Sequence, residues 1–402
     1  MILEEFSAWF VWVLPLIASL FVPVIGKYSD KARNYFVVAI AAVTAVLALS
    51  LVPSVWSGDG SATIFNVDWI PGLQAGVYID SLSVLFTCLV AFFALIITVY
   101  SIGYMKGEEG LTRYYYLILL FIGSMIGLVI SDNMIQLFIF WEMVGLCSYA
   151  LISFWYKKPE SIKAGVKVFI MTRIGDIALL AAIGLLYMMF TTFSFHGVIS
   201  GIQDAAAAGT LNTSLLVVVA FLVLGGAIAK SAQLPLFTWL YSAMEAPTSV
   251  SALLHAATMV KAGVYLLARL ILILSVAPAI IAALQPLWFP IVTWIGVLTA
   301  IIGATLALTT TDIKGVLAYS TISQIGFMMA GLGAAVDGAT SVGWFASLFH
   351  MISHAFFEGL GFLLAGGIIH AIGTRDMRLM GGLRKTMPIS FILMAIKSQS
   401  VT

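Results

Sequence analysis

Residues 215–244 read LLVVVAFLVLGGAIAKSAQLPLFTWLYSAM. The run is apolar from Leu215 until it meets Lys230. A charge at bilayer depth costs about 3 kcal/mol on insertion scales and more in simulations. Membrane chains rarely keep such a residue without a partner and a task. Pro235 follows five residues later. It cannot donate a backbone hydrogen bond and crowds the preceding turn, so the helix over 214–244 is expected to be interrupted. A buried ammonium beside a broken helix is an arrangement that ion-moving proteins use.

The rest of the chain agrees with a membrane setting. Of its 402 residues, 62% are hydrophobic and 9% charged, against roughly 25% charged in soluble domains. The pattern predicts an all-α polytopic membrane protein. Spans are expected at 8–25, 35–54, 80–104, 114–131, 134–155, 164–190, 214–244, 250–275, 288–309, 315–333 and 343–372, with a twelfth starting near Ile389. This makes about 11–12 transmembrane helices of the roughly 20 residues a bilayer requires. The net charge of +1 argues against nucleic-acid binding. Cys88 and Cys147 lie in apolar runs and read as small hydrophobes. Glu4 and Glu5 near the start, with no early Lys or Arg, do not make the basic region of a cleaved signal peptide.

Loop charge alternates along the chain. One side collects Lys27, Lys31 and Arg33, then Lys106 and Arg113, Lys157, Lys158 and Lys163, Lys314, and finally Arg375, Arg378, Arg384 and Lys385. The loops at 55–79, 191–213, 276–287 and 334–342 contain no Lys or Arg. The positive-inside rule puts the basic side in the cytoplasm and the N-terminus outside. Residues 55–79 suggest a small hairpin and 194–209 a short surface helix.

The remaining charges fall inside spans: Glu142, Arg173, Asp176, Lys230, His255, Lys261, Arg269, His350, His354 and Glu358. Glu142 and Lys230 lie mid-span at similar depth and suggest a pair, either a proton-handling site or a static ion pair joining two helices. Arg173 and Asp176 are three apart on one helix face. They read as an intrahelical salt bridge or as an electrostatic tuner of their neighbours. His255 and Lys261 share a span, and imidazole suits a proton relay, although a buried histidine also serves as a hydrogen-bonded core residue. Arg269, toward the outer end of its helix, is expected to snorkel or to anchor, and Lys167, near the cytoplasmic end of its own, to snorkel. His350, His354 and Glu358 follow i, i+4, i+8 spacing and form one stripe. That stripe suits a hydrated proton wire better than a metal site, since no HExxH pattern or further ligand set accompanies it. No GxGxxG, P-loop, CxxC or CxxCH appears, so no cofactor is expected in this chain and any redox chemistry would sit on other subunits.

Five segments carry a family likeness: FWEMVGLCSYALISFWY (140–156), VFIMTRIGDIALL (168–180), AKSAQLPLFTWLYSAMEAPTSVSALLHAATMVKAGVYLLARL (229–270), TDIKGVLAYSTISQIGFMMAGLG (311–333) and FHMISHAFFEGLGFLLAGGIIH (349–370). They resemble the antiporter-like, proton-translocating subunits of respiratory complex I, above all the subunit L (mitochondrial subunit 5) type. The same family includes the large subunits of multi-subunit sodium/proton antiporters and of membrane-bound hydrogenases.

The resemblance implies inverted five-helix repeats, each with a broken helix. It divides the chain into N-terminal helices (1–112), a first repeat (113–275) and an incomplete second repeat (276–402). It makes Glu142 and Lys230 the acid and base of the first half-channel, His255 the next relay position, and Arg173–Asp176 a pair beside it. His350 and His354 fall on the helix leading to the second half-channel. Glu358 stands where relatives often carry a lysine, and Lys261 is closer to the cation/proton antiporter branch. ILMAIKSQSVT (392–402) ends before a second broken helix, and Lys397 does not match that helix's lysine, so a C-terminally truncated member is expected. The implied function is a proton-translocating membrane-arm subunit of a complex I-like NADH-quinone oxidoreductase, an enzyme only as a subunit. Its implied partners are other membrane-arm subunits, peripheral redox subunits indirectly, and the lipid bilayer of a prokaryotic-type cell membrane or inner membrane. The alternative is a sodium/proton antiporter or membrane-bound hydrogenase subunit that reduces no quinone.

Overall fold

The computed structural model describes residues 2–56, 62–70 and 73–399. Long apolar runs form helices because bilayer-exposed backbone has to satisfy its own hydrogen bonds. In chain order these are α1 (Ile2–Tyr28), α2 (Asp30–Ser50) and the short α3 (Val52–Trp56), then an antiparallel hairpin of β1 (Thr63–Ile70) and β2 (Leu73–Ile79). There follow α4 (Ser81–Tyr104), α5 (Leu111–Ile130), α6 (Met134–Ile152), α7 (Pro159–Phe190), α8 (Phe195–Ala207), α9 (Thr213–Lys230), α10 (Thr238–Ser242), α11 (Thr248–Ala252) and α12 (Ala262–Leu274). The chain continues through α13 (Pro278–Leu284), α14 (Trp288–Thr309), α15 (Ile313–Gly333), α16 (Val342–Ile372), α17 (Leu383–Thr386) and α18 (Pro388–Gln399).

Among the described residues, 11 helical stretches are long and apolar enough to cross a membrane, and α18 contributes a shorter apolar helix. The expected hairpin and surface helix are both present, as β1–β2 and α8; residues 57–61 and 71–72 of the 55–79 stretch lie outside the described residues. Side-chain caps set the helix starts. Asp80 forms a reciprocal capping box with Ser83 ahead of α4, and Asn133, Asn212, Asp312 and Ser341 cap α6, α9, α15 and α16. Each satisfies N–H groups that the first helical turn leaves unpaired.

Packing is tightest where small residues let backbones meet. A Cβ on Gly175 of α7 would lie 2.8 Å from the Gly225 carbonyl oxygen of α9. Gly296 of α14 and Gly326 of α15 approach as closely, each facing the other's carbonyl at 2.6 Å. The C-terminal helices fold back on the N-terminal ones, since α16 packs against α4, α11 and α15.

The expected interruption of 214–244 is present. Helix α9 stops at Lys230, the chain turns through 231–237 with Ala232 at φ +50° and a cis Leu234–Pro235 bond, and α10 resumes. Orphaned backbone groups at the break find partners. Leu234 N–H donates to Thr299 Oγ1 of α14 at 3.1 Å, and Trp239 Nε1–H donates to the Ala229 carbonyl at 2.9 Å.

Residues 250–275, expected as one continuous span, are also interrupted. After α11 comes a π-helical turn at Leu253–Ala257, then a 3-10 turn at Met259–Lys261, and only then α12. No proline or glycine marks this break. Its backbone is tied by Thr258, whose hydroxyl donates to the Leu253 carbonyl.

Candidate functional site

Three helices build the first cluster. On α7, Arg173 and Asp176 lie one turn apart with Nη1 and Oδ2 separated by 3.6 Å. On α6, Glu142 forms a direct ion pair with Arg173, and the preceding Trp141 donates from Nε1 to Asp176 Oδ1 at 2.6 Å. On α9, Lys230 is fully buried at the last residue before the break. Its Nζ donates to the Trp141 carbonyl at 3.2 Å and lies 5.5 Å from the centre of the Trp141 ring. Gly145 leaves room for it, because a Cβ there would stand 2.7 Å from Lys230 Nζ.

The expected Glu142–Lys230 ion pair is therefore not formed directly. Glu142 is taken by Arg173, whose forked, permanently charged head reaches across from α7. Lys230 is left with a carbonyl and an aromatic face.

Further along, the interrupted segment presents His255 from its π-helical turn and Lys261 from its 3-10 turn. Both are fully buried, and among the described residues neither His255 ring nitrogen nor Lys261 Nζ has a hydrogen-bond partner. The same holds for both ring nitrogens of His354 on α16. Buried polar atoms without partners are uncommon, and here they recur along one stretch of the interior.

The stripe on α16 then continues. His350 Nε2 and Gln324 Oε1 of α15 are 2.6 Å apart. Glu358 is fully buried and accepts from Thr321 at 2.9 Å and Ser320 at 3.4 Å, both on α15, and Lys397 Nζ of α18 lies 3.7 Å away. Ser320, Gln324 and Lys397 also line a largely apolar cavity of about 730 Å³ between α14, α15 and α18. Among the described residues, no three His, Cys, Asp or Glu side chains converge as a metal site.

The family model described as NADH:quinone oxidoreductase/Mrp antiporter, TM matches residues 131–402. The chain belongs to this family. The model described as NADH-ubiquinone oxidoreductase (complex I), chain 5 N-terminus matches residues 69–115. Similar curated proteins include NAD(P)H-quinone oxidoreductase chain 5 of Picosynechococcus sp., 39% identical over 95% of this chain and 58% of its own length. F(420)H(2) dehydrogenase subunit L of Methanosarcina mazei is 40% identical, over 98% of this chain and 59% of its own. Na(+)/H(+) antiporter subunit A1 of Staphylococcus haemolyticus is 37% identical, over 97% and 48%. The chain thus spans about half to three-fifths of the length of these relatives. Among solved structures, the Mrp complex from Dietzia sp. contains a chain with TM-score 0.83 and 31% identity, covering 96% of this chain and 40% of that one. A chain of an archaeal membrane-bound sulfane sulfur reductase shares the fold, with TM-score 0.85 at 24% identity over 97% of this chain and 77% of its own.

For this quinone oxidoreductase/Mrp antiporter family member, the structure revises several expectations drawn from residue positions. Of the two roles expected of Arg269, it anchors and does not snorkel. It is buried and binds Asp80 through both Nη atoms, at 2.5 and 2.9 Å. Lys314, counted among the loop charges, is buried, and its ammonium donates to the Met244 and Ala246 carbonyls at 2.7 and 2.6 Å. Lys167 donates to the Thr238 carbonyl at 3.1 Å and Ser242 Oγ at 3.0 Å. Arg375 reaches the Met244 carbonyl at 3.0 Å and Glu245 at 2.9 Å. Three basic side chains from separate elements thus hold the segment just after the break. Trp141, Gln324, Thr321 and Ser320 join the site with no charge to mark them in the sequence. The signal for the last three was polar residues inside an apolar helix, STISQIGF at 320–327; for Trp141 there was none.

Proposed function

We propose that this chain is a proton-translocating membrane-arm subunit of a complex I-like quinone oxidoreductase. The observation that carries this reading is Lys230. It is an ammonium fully buried at a helix break, held by a carbonyl and a ring face, beside an Arg173–Glu142 ion pair. Glu142, Arg173 and Asp176 would bias the charge on Lys230. His255, Lys261 and His354 would pass protons inward along the membrane, with water bridging the gaps between them. His350 and Glu358 would extend the route toward a second half-channel. We take 113–275 and 276–402 as the two antiporter-like repeats, after N-terminal helices in 1–112. The basic loop side is assigned to the cytoplasm of a prokaryotic-type membrane and the N-terminus to the outside. Redox cofactors and the electron donor are assigned to other subunits.

The test is Lys230→Ala and Glu142→Gln in the reconstituted complex. Proton movement should collapse while assembly persists. Pumping at the wild-type proton/electron ratio would overturn the assignment.

A second reading, a subunit of a sodium/proton antiporter, is favoured by the similarity to antiporter subunit A1 and to the Mrp complex chain. It predicts sodium-driven pH change in vesicles with no reductant present. The first reading predicts none.

A further inference from the structure

Trp141 touches two charged members of the first cluster, Asp176 and Lys230. It is fully buried on α6. Its indole N–H donates to Asp176 Oδ1 at 2.6 Å, its carbonyl accepts from Lys230 at 3.2 Å, and its ring faces the ammonium from 5.5 Å. Glu142, the next residue, grips Arg173. Consecutive residues of α6 therefore hold both members of the Arg173–Asp176 pair on α7. Asp176 is thus held at one carboxylate oxygen by Trp141. Its second oxygen, Oδ2, makes no hydrogen bond among the described residues and lies 3.6 Å from Arg173.

Of the elements packed on α9, α7 also carries Glu160, Lys163, Lys167 and Tyr187 toward its ends, α13 and α14 carry no ionisable group, α12 carries Tyr265 and Arg269, and the neighbouring 3-10 turn carries Lys261. Tyr265 donates to the Val129 carbonyl at 2.8 Å, and Arg269 is bound to Asp80.

We propose that Trp141 is a positioning residue: its indole N–H restrains Asp176 toward Arg173 and so keeps Lys230 out of an ion pair in this conformation. Release of that one hydrogen bond would let Asp176 turn to Lys230 and hold its proton. The inference rests on the proton-translocation reading and supplies the restraint that reading needs. A lysine locked to a carboxylate exchanges protons poorly, whereas one facing a carbonyl and a π-system stays exchangeable.

Trp141→Phe in the assembled complex, assayed in inverted membrane vesicles, keeps a ring beside Lys230 and removes the donor. Freed Asp176 should pair with Lys230, and a paired lysine keeps its proton to higher pH. The pH optimum of proton translocation should move up by about one unit. Adding Asp176→Asn, which cannot form the ion pair, should return the optimum to that of Asp176→Asn alone. An unmoved optimum in an assembled Trp141→Phe complex overturns the inference. So does a difference between Asp176→Asn with and without Trp141→Phe, a comparison that decides the matter even if the single Trp variant does not assemble. The two proposals fail differently. Transport that survives Lys230→Ala removes the functional reading, whereas transport that needs Lys230 but ignores Trp141→Phe removes this inference alone.

Discussion

Arg269 on α12 and Asp80 at the start of α4 are 189 residues apart in sequence and form a bidentate pair, Nη1–Oδ2 2.5 Å and Nη2–Oδ1 2.9 Å. The guanidinium is also ringed by Tyr78, Phe195 and Tyr265, with ring centres 5.1, 5.9 and 5.4 Å away. Burial pushes the Asp80 carboxyl up, but the Arg269 charge and hydrogen bonds from Arg269 and Ser83 outweigh it and hold the group below its usual range. A depressed carboxylate stabilises the fold above its unfolded pKa, and that contribution is lost as pH falls through the folded value. Arg269→Ala should cost about 3–5 kcal/mol by leaving Asp80 buried and unpaired. The double variant Asp80→Asn/Arg269→Gln should cost less than Arg269→Ala. The Asp80→Asn deficit should be full at pH 7 and shrink only below about pH 4. Thermal unfolding in detergent, read as a double-mutant cycle, checks all three outcomes.

Gly145 gives a test of Lys230 that leaves every charge in place. A methyl there would press on the ammonium at 2.7 Å, and the end of a flexible chain can move aside. Gly145→Ala should therefore assemble normally, yet displace Nζ from the Trp141 carbonyl and lower proton translocation about tenfold, a loss of about 1.4 kcal/mol. Wild-type flux in an assembled Gly145→Ala complex would mean that the ammonium's position does not matter.

The contrast between Lys230 and His255 shows how much was legible. A charge and a proline in one apolar run gave away the first break, because each is costly in a membrane helix for a local reason. The break around His255 has no such mark. It is imposed by tertiary packing on residues that would otherwise continue a helix, so periodicity reads straight through it. Depth along a span could suggest that Glu142 faces Lys230. It could not show that Arg173, coming from a third helix, would reach Glu142 first. Lys314 reads as a loop charge for a similar reason, since a lysine at a span boundary looks solvated until the neighbouring half-helix brings its open carbonyls alongside.

Asp132, in the short link between α5 and α6, is almost wholly buried and accepts from the Asn133 amide at 2.6 Å. Among the described residues it has no cationic partner in an ion pair. Burial raises its pKa, with the Asn133 hydrogen bond offsetting part of the effect. For an acid so raised, the folded state is penalised as pH climbs past the unfolded value near 4, and the penalty levels off above the folded value. Asp132→Asn keeps an acceptor for Asn133 and removes the charge. Its melting temperature should exceed the wild type's at pH 8 and match it at pH 4. An equal difference at both values would show that the carboxylate's ionisation is not what burial penalises.

Thr299 on α14 tests what holds the helix break in shape. Its hydroxyl accepts from the Leu234 N–H at 3.1 Å and donates to the Ile295 carbonyl at 2.6 Å. Thr299→Val preserves the volume but leaves the Leu234 N–H without its partner inside the bundle, a cost of about 1–3 kcal/mol. Thr299→Ser keeps the hydroxyl and should recover most of that loss, apart from about 1 kcal/mol for the missing methyl. The break positions Lys230 as well as stabilising the fold, so Thr299→Val should also reduce proton translocation in complexes that assemble. If both variants lose the same stability, the packing of the β-branched side chain holds α14 against the break, and the hydrogen bond across it contributes nothing.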